Sequence, residues 1–338
     1  MKKLIFLTVS LLCHVCLMAQ GVQTATLHHG SEFKAFYSAY AFKEAMAEAQ
    51  PGDVINLSAG TFVSPEITVP VTVRGAGIGA LDDAEDVSKA RTTISNQIII
   101  NVPTNDDGLT LSMEGIVCDG GMSIAEVSNA IFSKMKIKNM DRGRDAKMNN
   151  VTLFHCIFEE MNFAEDATFL IYNCVFPGFR DSSVAAQISV YNSLINMKSS
   201  SYVGNNKNTT YNNCIINLSE ISRVQDVNYT NANLYDCLCI GGDENTFGKR
   251  YNSDNDLAER NNRLFPNDTP AFVDGTYYRL TDDAAAYLGN DGTQVGIYGS
   301  ALPFSVKTSY PQIKKFVVAP ESTTDGKLKI ELEIDAAN

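Results

Sequence analysis

The charged residues between positions 141 and 223 are the part of the sequence best suited to chemistry. They mix cations with carboxylates in polar stretches that follow short apolar runs. A lyase acting on an acidic polysaccharide needs a base to remove a proton beside a carboxylate and a cation to hold the developing charge. The candidate catalytic residues are Arg142, Arg144, Lys147 and Arg180, and the candidate substrate-binding residues are Glu159, Glu160, Asp181, Lys198 and Arg223.

The same charges have a simpler interpretation as solvated loop residues without a joint role. Glu159–Glu160 and Asp282–Asp283 resemble the carboxylate pair of a hydrolase. Adjacent residues on a strand point to opposite faces, however, which argues against either pair acting together. His155 occupies a column of mostly Asn residues and is interpreted as a substitute for Asn rather than as a general base.

The cysteines give no sign of a metal site. Of the 8 cysteines, Cys13 and Cys16 lie in an apolar leader, and the remaining six lack metal-ligand spacing. Four of these share one position in a repeat, where they are suited to act as small buried apolar residues: Cys156, Cys174, Cys214 and Cys237. We predict free thiols, with a bridge between Cys156 and Cys174 as the alternative.

The candidate residues are positioned by short strands in a repeat of roughly twenty residues. The repeat is clearest at residues 154–158, FHCIF, and residues 172–176, YNCVF. Related phrases begin at positions 113, 132, 191, 212 and 235. Such a period, rich in strand-forming residues, indicates a solenoid in which each repeat is one coil.

Each position of the repeat predicts a place in the coil. The residue after the aromatic is mostly Asn, which tolerates left-handed backbone at a bend. The aromatic column and the apolar column three residues later cannot both face inward from one flat strand. The aromatic column therefore either faces outward, as a strip suited to the apolar faces of sugar rings, or belongs to a core closed by a corner or a covering loop. The aromatic column comprises Phe132, Phe154, Tyr172, Tyr191 and Tyr235, and the apolar column comprises Ile157, Val175, Leu194, Ile215 and Leu238.

These patterns predict an all-β fold, a single-stranded right-handed parallel β-helix. Residues 1–19 form a predicted signal peptide, and residues 20–305 form the β-helix with an amino-terminal capping helix over 38–50. Residues 306–338 carry two alternating apolar runs that predict a β-hairpin-like segment, a small carboxy-terminal β cap. The alternative for this last segment is a linker to another module.

Charge and hydropathy restrict the partners. A formal charge of −12 and a pI of about 4.8 argue against binding to nucleic acid or to an anionic membrane surface. After the leader, no apolar stretch is long enough to span a bilayer. We therefore expect an exported protein, in the periplasm, at the cell surface or secreted.

Two segments resemble a known family. The helix phrase 42–45, the phrase PGDVI at 51–55 and GTF at 60–62 resemble the first coil of pectate-lyase-like and chondroitinase-B-like proteins. Residues 271–274 and 292–299 resemble the last-coil motif of secreted β-helix proteins from gut bacteria. The resemblance covers roughly residues 35 to 305. It implies fold and ancestry far more than activity.

The expected function is to bind or process an extracellular polysaccharide or cell-surface glycan, with a polysaccharide lyase as the expected enzyme if the chain is catalytic. The alternative is a non-catalytic surface, adhesion or structural protein. The resemblance allows calcium as a cofactor, but neither the acidic cluster of pectate lyases nor the paired-Asp motif of polygalacturonases is recognisable. No cofactor is therefore predicted from the residues themselves.

Overall fold

The computed structural model describes residues 23–79, 91–103, 108–163, 166–179, 186–198, 208–221, 229, 232–247, 260–266, 268–273, 278–309, 312–322 and 328–335. Within them the chain is a parallel β-solenoid of about seven turns, in which strands of successive coils pair in register. The prediction of an all-β parallel solenoid is confirmed. The predicted signal peptide lies outside the described residues.

The strands form three ladders that run along the solenoid. The first contains β1 (Thr24–His29), β2 (Glu32–Tyr37), β3 (Val54–Leu57), β6 (Thr72–Arg74), β9 (Leu111–Glu114), the end of β11 (Met122–Ser133), the end of β12 (Lys136–Phe154), β14 (Thr168–Tyr172), β16 (Gln187–Tyr191), β18 (Thr209–Asn212) and β20 (Asn233–Tyr235). The second contains β4 (Gly60–Phe62), β7 (Thr92–Ile94), β10 (Ile116–Cys118), the start of β12, β13 (Ile157–Met161), β15 (Val175–Phe176), β17 (Leu194–Asn196), β19 (Ile215–Asn217), β21 (Leu238–Ile240) and β22 (Arg263–Phe265). The third contains β5 (Glu66–Ile67), β8 (Ile98–Val102), the start of β11 and the middle of β12.

Alternation along each strand fills the interior. In the first ladder Leu153, Ile171 and Val190 align across successive coils and are fully buried, whereas their neighbours on either side point outward. The same rule buries Cys156 and Cys174 just after the bend. All six cysteines of the described residues are buried and unbridged, as predicted.

The bend between the first two ladders is the most regular feature of the coil. Its residues have φ between 45° and 55° in six coils, the left-handed region that Asn and Asp tolerate better than most residues. They are Lys134, His155, Asn173, Asn192, Asn213 and Asp236. The prediction that this column marks a bend is confirmed, and we call these residues the bend column.

The amino-terminal end differs in detail from the prediction. Helix α1 spans Ala41–Glu48, shorter than the predicted 38–50, and buries Ala41, Phe42, Ala45 and Met46. Strands β1 and β2 precede this helix, and β1 pairs antiparallel with both β2 and β3.

The carboxy-terminal part leaves the solenoid after β22. Helix α2 (Glu244–Phe247) precedes that strand, and helix α3 (Asp282–Ala285) follows it. Residues 278–309, here called the strap, run back along the outside of the coils. The last strands, β23 (Gln312–Ser322) and β24 (Leu328–Asp335), pair antiparallel in a separate two-stranded sheet.

Candidate functional site

The outward side of the first ladder carries a row of aromatic side chains, here called the aromatic strip. The strand register aligns Phe154, Tyr172, Tyr191, Asn212 and Tyr235 on five successive coils. These side chains are half-buried, and Tyr235 is 36% exposed. Of the two orientations that the sequence allowed, the structure shows that these aromatics face outward.

A second outward row runs beside the aromatic strip. Its residues lie two positions earlier on each strand and are mostly short polar side chains. The row comprises Thr152, Leu170, Ser189, Thr210 and Asn233, all partly exposed. Together the two rows form a flank that combines ring surface with hydroxyl and amide groups.

Phe132 was wrongly placed in the aromatic column. Its register partner is Leu153, whereas Ser133 is the residue aligned with Phe154. Phe132 consequently points inward and is fully buried, and Ile131 is 42% exposed. A slip of one residue moves a side chain to the opposite face of a strand, and this phrase matches the repeat too loosely to fix the register.

Neighbouring side chains hold the rings of the aromatic strip in place. Tyr172 and Tyr191 stack with centroids 5.0 Å apart and ring planes 18° apart. The guanidinium of Arg260 lies 4.7 Å from the ring centroid of Tyr235, in a cation–π contact. Arg260 also donates a hydrogen bond to Asn233 in the second row, at 3.2 Å.

The outward side of the second ladder is covered by the strap. Val175, Leu194, Ile215 and Leu238 are at most 4% exposed although they point away from the interior. They form one apolar cluster with strap residues, and Ile157 packs against it. The strap contributes Leu280, Ala284, Val295, Ile297, Phe304 and Val306. The apolar column of the sequence is therefore covered by a segment of the chain.

The bend column anchors the strap through hydrogen bonds. The Asn173 amide donates to the carbonyl of Ile297 at 3.0 Å, and the amide of Gly296 donates to the carbonyl of Asn213 at 2.8 Å. The strap ends at Ser309, whose hydroxyl accepts a bond from Lys134 at 2.9 Å. In these coils the bend column therefore bonds to the strap.

His155 is the most constrained residue of the bend column. It is 4% exposed, and the carbonyl of Leu302 lies 3.1 Å from Nε2 while the amide of Ser305 donates to Nδ1 at 3.3 Å. Nδ1 as acceptor requires the neutral ring, so Nε2 is the donor to Leu302. Burial lowers the pKa of His155 to about 4, and the positive charge of Lys134 acts in the same direction.

Of the candidate catalytic cations, Arg142 and Lys147 lie near each other, because they pair with Ile124 and Glu126, two residues apart on β11. Arg142 and Lys147 lie on β12 and are exposed, and Lys147 forms an ion pair of 3.8 Å with Glu126. The backbone of Arg144 lies in the same strand. Arg180 lies outside the described residues.

The described candidate substrate-binding residues lie on different coils. Glu159 is exposed and Glu160 half-buried, both on β13 of the second ladder. Lys198 is exposed just after β17. Asp181 and Arg223 lie outside the described residues.

Other parts of the described chain offer little chemistry. No group of three or more His, Cys, Asp or Glu side chains is placed to hold a metal ion. Burial raises the pKa of the Cys118 and Cys239 thiols, which disfavours the reactive thiolate. A cavity of about 550 Å³ opens where the chain leaves the last coils, and its lining is mainly apolar, with Leu218, Ile240 and Phe272 among its residues.

The strap was not recognised from the sequence. Its segment 292–299 had been matched to a last coil, but it lies outside the solenoid against the coils of Asn173 and Asn213. The structure shows instead that Gly296 has φ +82° and packs directly on Ile215.

Comparisons with protein-family models, with curated proteins and with solved structures give no match. The class of protein is therefore defined by the fold alone, as a parallel β-solenoid. None of the helices in the described residues has the length and apolar character needed to cross a membrane.

Proposed function

We propose that this protein is exported and binds extracellular polysaccharide, or a cell-surface glycan, through the aromatic strip. The proposal rests on one observation, the outward orientation of Phe154, Tyr172, Tyr191 and Tyr235 on consecutive or near-consecutive coils. Tyr combines a large apolar face with a polar tip, which matches a sugar ring that carries both C–H faces and hydroxyl groups.

The charge of the protein favours a neutral glycan. A formal charge of −12 repels polyanions, and a polyanion-binding groove would need cations close together. In the described residues Lys147, which lies near Arg142, is paired with Glu126, and Lys198 lies on a later coil. The neutral hydroxyl and amide groups beside the aromatic strip suit a neutral sugar.

Binding without catalysis is favoured over a lyase. A lyase needs a base and a cation at one reacting centre. The two flanks described above are an open flat face and a face covered by the strap, which is the arrangement expected of a binding or adhesion module. Processing of the polysaccharide is the second outcome that the experiment tests.

The finer architecture belongs to the same proposal. We infer right-handed winding, because crossovers between parallel strands of one sheet are right-handed in about 98% of cases. Helix α1 acts as a cap, since its apolar side packs at the amino-terminal end of the first coils. The role of β23 and β24 as a carboxy-terminal cap stays a prediction.

The test is a binding screen of residues 20–338 against soluble neutral polysaccharides, such as xylan, mannan and β-glucan, and acidic ones, such as polygalacturonate and chondroitin sulfate. Affinity electrophoresis and calorimetry measure binding, and ultraviolet absorbance measures an unsaturated lyase product. We expect binding to a neutral polysaccharide without new absorbance. New absorbance would establish a lyase.

Two matched variants locate the surface. Tyr191→Ala removes a ring of the aromatic strip and should weaken binding about tenfold, equivalent to about 1.4 kcal/mol. Tyr37→Ala removes a ring that is 64% exposed on β2, at the amino-terminal end, and should leave binding unchanged. Equal effects of both variants, or no binding to any polysaccharide, would contradict the proposal.

A further inference from the structure

The aromatic strip is interrupted at one coil. The register places Asn212 between Tyr191 and Tyr235, where the flanking coils carry rings. The side chain of Asn is much shorter than that of Tyr. The two tyrosines therefore flank a position without a ring, and we call Tyr191, Asn212 and Tyr235 the slot.

The width of the slot follows from the strand spacing. Adjacent coils are about 4.8 Å apart, so Tyr191 and Tyr235 are separated by two spacings, about 9.6 Å. Carbon atoms in contact are about 3.5–4.0 Å apart. A flat aromatic ring stacked between the two tyrosine rings makes one such contact on each face, so it needs a separation of about 7 Å between those rings. It would therefore fill the slot loosely. A saturated six-membered ring carries axial hydrogens on both faces, is thicker, and fills the space better.

Both walls of the slot are supported from behind. Tyr172 stacks on the far side of Tyr191 at 5.0 Å, and Arg260 lies 4.7 Å from the centroid of the Tyr235 ring. Support of this kind limits rotation of the rings and lowers the entropy cost of ordering them around a ligand. The slot is therefore largely formed before a ligand arrives.

The floor of the slot offers hydrogen bonds. The Asn212 side chain is half-buried and makes no hydrogen bond with the part of the chain that the structure describes. Its amide can both donate to and accept from a hydroxyl group. Thr210 lies on the same outward side of β18 and adds a hydroxyl next to the slot.

We propose that the slot binds one pyranose ring of a neutral polysaccharide, sandwiched between Tyr191 and Tyr235 and hydrogen-bonded to Asn212. This inference rests on the proposed function and specifies where on the aromatic strip the glycan is held. Neighbouring sugar units leave the slot in the plane of the sandwiched ring, across the aromatic strip and over the polar row beside it. The rest of the strip, where Tyr172 and Tyr191 stack on each other, presents ring edges instead of an open face.

The decisive variant is Asn212→Tyr, measured with the polysaccharide that binds wild-type protein best and with a soluble oligosaccharide of the same sugar. The added ring continues the stack of Tyr172 and Tyr191, so the fold is retained and the slot is filled. We expect at least a tenfold loss of affinity with an unchanged melting temperature. Asn212→Ala keeps the slot open but removes its amide, and it should lower the affinity about threefold to tenfold.

The outcomes separate this inference from the proposed function. If wild-type protein binds polysaccharide and Asn212→Tyr binds it equally well, the proposal that the slot holds the sugar is wrong. The aromatic strip then remains the proposed binding surface. If wild-type protein binds no polysaccharide, both are wrong. Adenosine serves as a flat-ring probe, and binding of adenosine in place of sugar would overturn the choice of a pyranose ring.

Discussion

Two flanks of this solenoid arise from the same repeated phrase and have opposite exposures. The aromatic residue before the bend faces outward in the open first ladder, and the apolar residue after the bend faces outward in the second ladder under the strap. Leu170 is partly exposed on the open flank, whereas Leu194 is 1% exposed on the covered one. Strand alternation therefore decides which side chains point outward, and the segment that lies over a strand decides whether those side chains are buried.

The bend column explains why only one flank is covered. Its left-handed residues present side chains and carbonyl groups along the edge between the two ladders. The strap bonds to that edge through Asn173, Asn213 and His155. Apolar residues of the strap then close the second ladder and leave the first one free for a ligand.

The largest difference between the flanks is expected from matched leucine truncations. Leu194→Ala should lower the free energy of unfolding by about 2–5 kcal/mol, because it opens a cavity under the strap. Leu170→Ala should cost about 1 kcal/mol or less, since its side chain is partly solvated already. Chemical denaturation of both variants measures the difference. Equal losses would contradict the covered flank.

Acid should weaken the covered flank through His155. The pKa is about 4 in the folded protein and about 6.5 when unfolded, so the unfolded state binds more protons between these values. The contribution of neutral His155 to the free energy of unfolding is at most about 3 kcal/mol. It is complete above pH 6.5 and is lost as the pH falls to about 4. His155→Asn, which places the residue of the following coils at the bend, should flatten this part of the pH profile. An unchanged profile would show that the strap does not depend on the neutral ring.

Alanine substitutions at two glycines of the strap test how closely it approaches the second ladder. A Cβ at Gly296 would collide with the side chain of Ile215, whereas a Cβ at Gly292 meets open space. Both have positive φ, +82° and +74°, so both alanine variants carry backbone strain of about 1–2 kcal/mol. Gly296→Ala should cost about 1 kcal/mol more than Gly292→Ala, because overpacking adds to the strain. Thermal unfolding measures the pair, and identical values would rule out the contact with Ile215.

The smallest effect is expected on the third ladder. Lys147→Met removes an exposed ion pair with Glu126 and should change stability by about 0.5 kcal/mol or less. It should also leave polysaccharide binding unchanged, because Lys147 lies away from the aromatic strip. Loss of binding or of lyase activity in this variant would restore the charged residues of β12 as the functional site.

Much of the fold was predictable because it depends on local rules. The period, the inward column around Leu153 and Ile171, and the left-handed bend follow from strand alternation and from the conformational tolerance of Asn. Phe132 shows the limit of this reasoning, since a loosely matching repeat does not fix a register. The charged candidates show another limit, because spacing along the chain does not state which side chains meet.

The sequence by itself determined the coils, their small buried thiols and the bend between the aromatic and apolar columns, but it left open which way the aromatic column faces. Only the tertiary structure decided that the strap covers one column and leaves the other open. The physical reason is that the strap contacts coils that lie far earlier in the chain, for example 77 residues between Asn290 and Asn213 and 150 residues between Ser305 and His155. Such a contact has no local signature in either segment. The slot at Asn212 likewise exists only because parallel pairing brings Tyr191 and Tyr235 to either side of it.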